Sequence, residues 1–203
     1  MRRLWGRLTS VNVQKAVWAL DESGLPYERI DAGGAHGVVH DPAYRVMNPN
    51  GLVPTLEEDG FALWESNAIL RYLAATGPAL ALPADPRTRA HVEQWVDWQA
   101  TSFTPAMRDA FWQLYRSADP DRALIADSLT KTEAMAAILD RHLADRDYVV
   151  GTGFSIADIA LGCAAHRWLN LPAERIERPA LRRWYERVAA RPAAARALGE
   201  PIA

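Results

Sequence analysis

Near Thr76 this chain of 203 residues changes its internal grammar, and that change limits its architecture more than any other feature. Before it, short segments alternate: strand patterns at 3–8, 27–31, 53–56 and 61–64, and apolar helical patterns at 13–23 and 65–75. Asp59-Gly60 stands between the last two strand patterns and is a strong two-residue hairpin signal. The predicted order is β-α-β-loop-β-β-α, with a Gly/His-rich loop in the middle. A crossover helix gives one parallel pair, the hairpin gives an antiparallel pair, and together they make a small α/β layer.

The stretch "TGPALALPADPRTR" follows, with prolines at 78, 83 and 86, and reads as a linker that ends in a helix start. Everything beyond it has helical spacing. Val92, Trp95, Val96, Gln99, Phe103, Met107, Phe111 and Leu114 recur at intervals of three and four through one long helix, which Pro105 is expected to kink. Further stripes run from Ile125 to Leu143, from Ser155 onward, and over Leu181, Trp184, Tyr185 and Val188 before Arg191-Pro192. Ser155-x-x-Asp158 has the form of a capping box, flanked by Phe154 and Ile159, and is read as a folding signal. The domain boundaries expected are 1–76 for the α/β half, 77–87 for the linker and 88–203 for the all-helical half.

A formal net charge of −2 with no basic run argues against nucleic acid or an anionic membrane surface as the main partner. Cys163 is the one cysteine, so neither an intrachain disulfide nor a cysteine metal cluster is expected, and it is read as a buried core thiol. The basic N-terminal stretch lacks the apolar core of a signal peptide, and no run approaches the length of a membrane span. A cytoplasmic location is expected.

Chemistry concentrates in "NPNGLVPTLEEDGFALWESNAILRYLA", residues 48–74. Pro54 stands at the mouth of a strand. With a cis peptide it would leave the N–H and C=O of Val53 on an unpaired edge, open to one short antiparallel pairing with an extended peptide. Glu65-Ser66 opens a helix, where free N–H groups and the dipole favour a carboxylate. The Ser66 hydroxyl suits that carboxylate, and Glu65 suits an ammonium beside it. The alternative is a plain cap at Ser66 and a solvated first-turn acid at Glu65.

With these residues in view, the chain resembles the cytosolic glutathione transferases along its whole length. "NPNGLVPTL…WESNAILRYLA" is similar to that family's glutathione-binding core. The Pro-bearing linker, the helical half and the capping box stand in the family's order. The resemblance implies a thioredoxin-like first domain, an all-helical second domain, glutathione as co-substrate with no metal, and a homodimer. It implies that Val53 pairs with the cysteinyl backbone of glutathione with Pro54 cis, and that Glu65 and Ser66 take the γ-glutamyl end. For the glycine carboxylate the family often has Lys or Arg just before the Val-Pro pair, and this chain has Leu52 there. His40 is the substitute expected, and Asp97 or Glu93 is a candidate to reach a partner subunit's glutathione amine.

The family's activating residue lies between the first strand and the first helix, here "RLTSVNVQKAVWAL". Neither Tyr nor Cys occurs there, which leaves a theta-like serine type with Ser10 as the thiolate donor. Asn12 is the principal or joint alternative, Thr9 is a near neighbour, and both Ser10 and Asn12 are also good N-caps. The second substrate, a small hydrophobic electrophile, is expected against the long helix. Arg108 and Trp112 face its pocket because they leave the main apolar stripe. Conjugation in detoxification is the leading activity. A noncatalytic binding or scaffold module and a glutathione-dependent isomerase are the alternatives.

Overall fold

The computed structural model describes residues 1–80, 82–200 and 202, and these fall into two compact units. The first comprises the described residues of 1–82 and of 191–201, and the second those of 83–190 with Ile202. Ala81 of the expected linker, and Pro201 and Ala203 of the expected helical half, lie outside the described residues.

The first unit has a mixed sheet of β1 (Arg2–Trp5), β2 (Glu28–Ile30), β3 (Thr55–Glu58) and β4 (Phe61–Trp64) in the order β2-β1-β3-β4. The pair β1/β2 is parallel, while β1/β3 and β3/β4 are antiparallel. Leu4 faces Leu56, which faces Leu63, and the first two are fully buried. This is the thioredoxin-like layer expected from the order of segments. Asp59 and Gly60 both take positive φ in the β3–β4 turn, as the hairpin signal requires.

Two longer helices and two short ones belong to the unit: α1 (Val11–Glu22), α2 (Pro42–Met47), α3 (Ser66–Thr76) and α9 (Ala194–Leu198). Nine of the ten positions from Val11 to Leu20, all but Asn12, are buried, because α1 packs against both α3 and α9. That second contact departs from the expected division, which placed everything after 88 with the helical half. Arg191 forms an ion pair with Glu22, with Nε 3.1 Å from Oε2, and Arg196 Nη1 donates to the Tyr27 hydroxyl at 3.1 Å. These contacts tie residues 191–200 to the sheet unit. Burial beside Asp21 pushes the Tyr27 phenol up to about 12, so it stays protonated within the cluster.

The second unit is helical: α4 (Pro86–Trp98), α5 (Thr104–Arg116), α6 (Arg122–His142), α7 (Ile156–Asn170) and α8 (Pro179–Ala189). The long helix predicted through Pro105 is α4 and α5 joined by a π-helical turn, Gln99–Phe103. Pro105 falls in the first turn of α5, where its missing N–H leaves no broken bond, and the Thr104 N–H reaches back to the Gln99 carbonyl. The buried residues of α7 run around its whole circumference, as befits a central helix packed against α4 and α8. The predicted capping box starts it, with Ser155 and Asp158 bonding each other's backbone N–H. Cys163 is fully buried on α7. No helix among the described residues is long and apolar enough to cross a membrane.

Candidate functional site

The loop before β3 is built from side chains that satisfy its backbone internally. Asn48 is the hub: its Oδ1 accepts from the Asn50 N–H at 3.1 Å, an Asx turn, and its Nδ2 donates to the Leu52 carbonyl at 2.9 Å and to Thr55 Oγ1 at 3.0 Å. From α2 the buried Tyr44 hydroxyl donates to the same Leu52 carbonyl at 2.7 Å. Burial pushes the Tyr44 phenol up, against the pull of its hydrogen bonds to Thr55 and Asn48, so it remains a donor. Two donors thus hold Leu52 from the inner side. The next peptide, Val53–Pro54, is cis. Val53 N–H and C=O make no hydrogen bond among the described residues, since the β1/β3 ladder begins at Thr55. An unpaired donor and acceptor on one residue is half of an antiparallel bridge.

Opposite chemistry comes from α3. Glu65 is its N-cap residue and takes φ +69°, a conformation that L side chains avoid. This conformation turns the chain from β4 into α3, with Glu65 exposed and Ser66 buried at the first helical position. Ser66 Oγ donates to Asn12 Oδ1 at 3.2 Å, which joins the start of α3 to the first turn of α1. One residue further, the buried Lys15 donates from Nζ to Asn67 Oδ1 at 2.8 Å. The N-termini of α1 and α3 therefore meet, and both present free N–H groups suited to anionic atoms.

These parts line one cleft. Asn12 comes from α1, Trp64, Glu65 and Ser66 from the β4–α3 junction, and Asn48, Asn50 and the segment Leu52–Pro54 from the loop before β3. The structure thus brings together Asn12, Val53, Pro54, Glu65 and Ser66. Ser10 is not among the lining residues. It is the N-cap residue of α1, half-buried, and its hydroxyl makes no capping bond. His40 does not line the cleft either; its Nδ1 lies 3.2 Å from Arg45 Nη2 on the surface. In the helical unit Arg108 and Trp112 are exposed on α5, with 52% of Trp112 accessible, and the Arg116 guanidinium sits 5.3 Å from the Trp112 ring centre. Glu93 pairs with Arg89 at 3.0 Å, and the Asp97 carbonyl accepts from Thr101 Oγ1.

Asn48, Asn50 and Trp64 are cleft residues that the sequence reading passed over. The Asx-turn pattern of "NPNG" carried the signal for the two asparagines. An aromatic residue at the end of a strand carries none, because it reads equally as core. Among the described residues no group of three or more His, Cys, Asp or Glu side chains is placed to hold a metal ion.

A family model described as the glutathione S-transferase N-terminal domain matches residues 4–80, and one for the C-terminal domain matches residues 103–192. The chain belongs to the glutathione S-transferase family. It is 40% identical to the glutathione S-transferase GstB of Escherichia coli, with both chains covered in full. It is similar to the theta class glutathione S-transferase of Xanthomonas axonopodis pv. citri solved with glutathione bound: TM-score 0.95, 43% identity, all of this chain and 99% of that one covered. At 29% identity, over 92% of this chain and 90% of its partner, stands the E. coli disulfide-bond oxidoreductase YfcG. Glutathione is the co-substrate of this family.

Proposed function

We propose that this chain binds glutathione along the Val53 edge, activates its thiol at the N-terminus of α1 and transfers it to small hydrophobic electrophiles. The observation that carries the reading is the unpaired backbone of Val53 in one cleft with Asn12, Glu65 and Ser66. Val53 pairs with the cysteinyl unit, Ser66 and the α3 N-terminus take the γ-glutamyl carboxylate, and Glu65 accepts from the adjacent ammonium. Pro54 bounds the cysteinyl site.

The thiol needs a donor rather than a base. With a pKa near 8.5, only a few per cent of a free thiol is ionised at pH 7. A hydroxyl hydrogen bond to sulfur, together with the α1 dipole, lowers that by about two units, roughly 2.7 kcal/mol. The proton leaves to solvent, the sulfur attacks the electrophilic atom, and the leaving group departs with the bonding pair. Ser10 is the donor in this reading, its hydroxyl uncommitted to capping. Asn12, which lines the cleft and bonds Ser66, is the joint donor.

The sheet unit, 1–82 with 191–200, binds glutathione, and the helical unit, 83–190, presents Arg108 and Trp112 to the electrophile. The protein works in the cytoplasm as a homodimer, in detoxification. The likeness to a disulfide-bond oxidoreductase supports a second reading, thiol–disulfide exchange. Cys163 is fully buried in the helical unit, so the exchanging sulfur would have to be that of glutathione itself.

The test is a pH titration of thiolate absorbance for bound glutathione in wild type, Ser10→Ala and Asn12→Ala. A depressed thiol pKa that returns toward its free value in Ser10→Ala supports the assignment. A return only in Asn12→Ala reverses the two roles. Binding with no shift leaves a carrier, and no binding refutes the cleft.

A further inference from the structure

The helical unit holds a hollow to which the chemistry above gives no task. Its volume is about 210 Å³, and it lies between α4, the end of α6 and residues 149–151 ahead of α7. All its lining residues belong to the helical unit, and none is shared with the cleft around Val53. Trp95 of α4 supplies a flat wall. Its indole is half-buried and held from two directions: the His142 ring centre is 4.4 Å away, and Trp98 meets it edge-on at 5.1 Å. His142 is fixed in turn. Its Nε2 lies 2.7 Å from the Val149 carbonyl oxygen, which only accepts, so Nε2 carries the proton. Val149 and Val150 add apolar surface.

Charge enters through Arg146, exposed just after α6. Its side chain makes no hydrogen bond or ion pair among the described residues. The C-terminal end of a helix ordinarily repels an anion. Here that end is covered, because Arg183 Nη2 donates to the Leu143 carbonyl at 2.8 Å and to the Ala144 carbonyl at 3.1 Å. The neighbouring acids, Asp145 and Asp147, line an adjoining hollow and not this one, and Asp147 is paired with Arg187 at 2.8 Å. Gly151 takes φ +67°, and no atom stands within 4 Å of where its Cβ would be, so the hollow is open on that side. Its volume exceeds the roughly 150 Å³ that accommodates a benzene ring.

We propose that this hollow binds a planar aromatic carboxylate of one or two rings, its ring against Trp95 and its carboxylate on the Arg146 guanidinium. A fixed indole face matches a flat ring, and a planar fork of uncommitted donors matches a carboxylate. The site is a second, noncatalytic one, and it takes no part in the chemistry of the glutathione thiol.

The experiment is calorimetric titration of the full chain with 2-naphthoate and with 2-naphthamide, which match in shape and differ in charge, each with and without glutathione. Wild type is expected to bind one 2-naphthoate per chain with a Kd on the order of 0.1 mM, and to prefer it to the amide by about tenfold or more. Arg146→Gln should erase that preference and leave amide binding unchanged; the residue is exposed, so the fold survives the change. Arg146→Lys should keep part of the preference, and Trp95→Leu should weaken both ligands alike. Glutathione should alter none of these values. A preference that survives in Arg146→Gln, displacement of 2-naphthoate by glutathione, or no saturable binding to wild type would overturn the proposal. None of these outcomes depends on whether the chain is a transferase.

Discussion

Removing the Asp158 carboxylate should destabilise the helical unit more than any single cap can. Asp158 is fully buried, and its Oδ1 accepts from the Val149 N–H and from Trp184 Nε1, each at 2.9 Å. Its Oδ2 accepts from the Ser155 N–H at 2.9 Å and from Ser155 Oγ at 3.2 Å. One carboxylate therefore ties the segment after α6, the start of α7 and the middle of α8. In Asp158→Ala the donors of Val149 and Trp184 are stranded where both residues are buried, at about 1–3 kcal/mol each. Relief of the buried charge offsets part of the lost bonds at Ser155, so the expected loss is about 4 kcal/mol. Ser155→Ala, which removes one side-chain cap, should cost about 1 kcal/mol. In urea, with a slope of about 2 kcal/mol/M, the two midpoints fall by about 2 M and 0.5 M. Tryptophan fluorescence is a suitable probe because Trp184 is itself one of the donors. The reasoning also fixes a pH dependence. Burial raises the Asp158 pKa above 3.8, more than its hydrogen bonds lower it. The native state then binds this proton more tightly than the unfolded state. Stability relative to Asp158→Asn should fall as pH rises from about 3.8 through the native value, and be flat above it. An Asp158→Ala loss no larger than that of Ser155→Ala would refute the argument, because the stranded donors would have found other partners.

Two further outcomes follow from the cleft. Glu65→Gly relieves a conformation that costs a non-glycine residue about 1–3 kcal/mol, less the entropy glycine adds to the unfolded chain. The variant should gain about 1 kcal/mol in denaturation and lose tenfold or more in glutathione affinity by calorimetry; tighter binding would refute the role given to Glu65. Asn48→Ala leaves Thr55 and the Leu52 carbonyl to Tyr44 alone, so it should cost about 2 kcal/mol and raise KM for glutathione with little change in kcat. A fall in kcat alone would show that the loop network does something other than hold Val53.

The parts of the fold legible in the sequence were those encoded locally. Asp59-Gly60 needs only its own φ preferences to make a hairpin, and Ser155 and Asp158 need only each other. The placement of Val53-Pro54 at a strand mouth and of Glu65-Ser66 at a helix start was legible for a similar reason, since each rests on the local preferences of its own residues. What escaped was tertiary. The six residues of α2 are too few for a periodic stripe, and only Asp41-Pro42 marked their start. The approach of Arg45 to Gly51 joins two residues whose types say nothing about each other. Proline at 192 looked like a terminus, yet a short helix follows it, because α1 offers an apolar face that α3 alone does not cover.

That short helix has a consequence for how the protein is made. Residues 191–200 complete the sheet unit, and the chain reaches them only after passing through the whole of the helical unit. On the ribosome, the β-strands and the cleft around Val53 emerge first but lack the helix that covers α1. The apolar face of α1 must therefore wait, unpaired, while the helical unit is synthesised. A fragment cut after residue 82 would carry the same exposed face permanently.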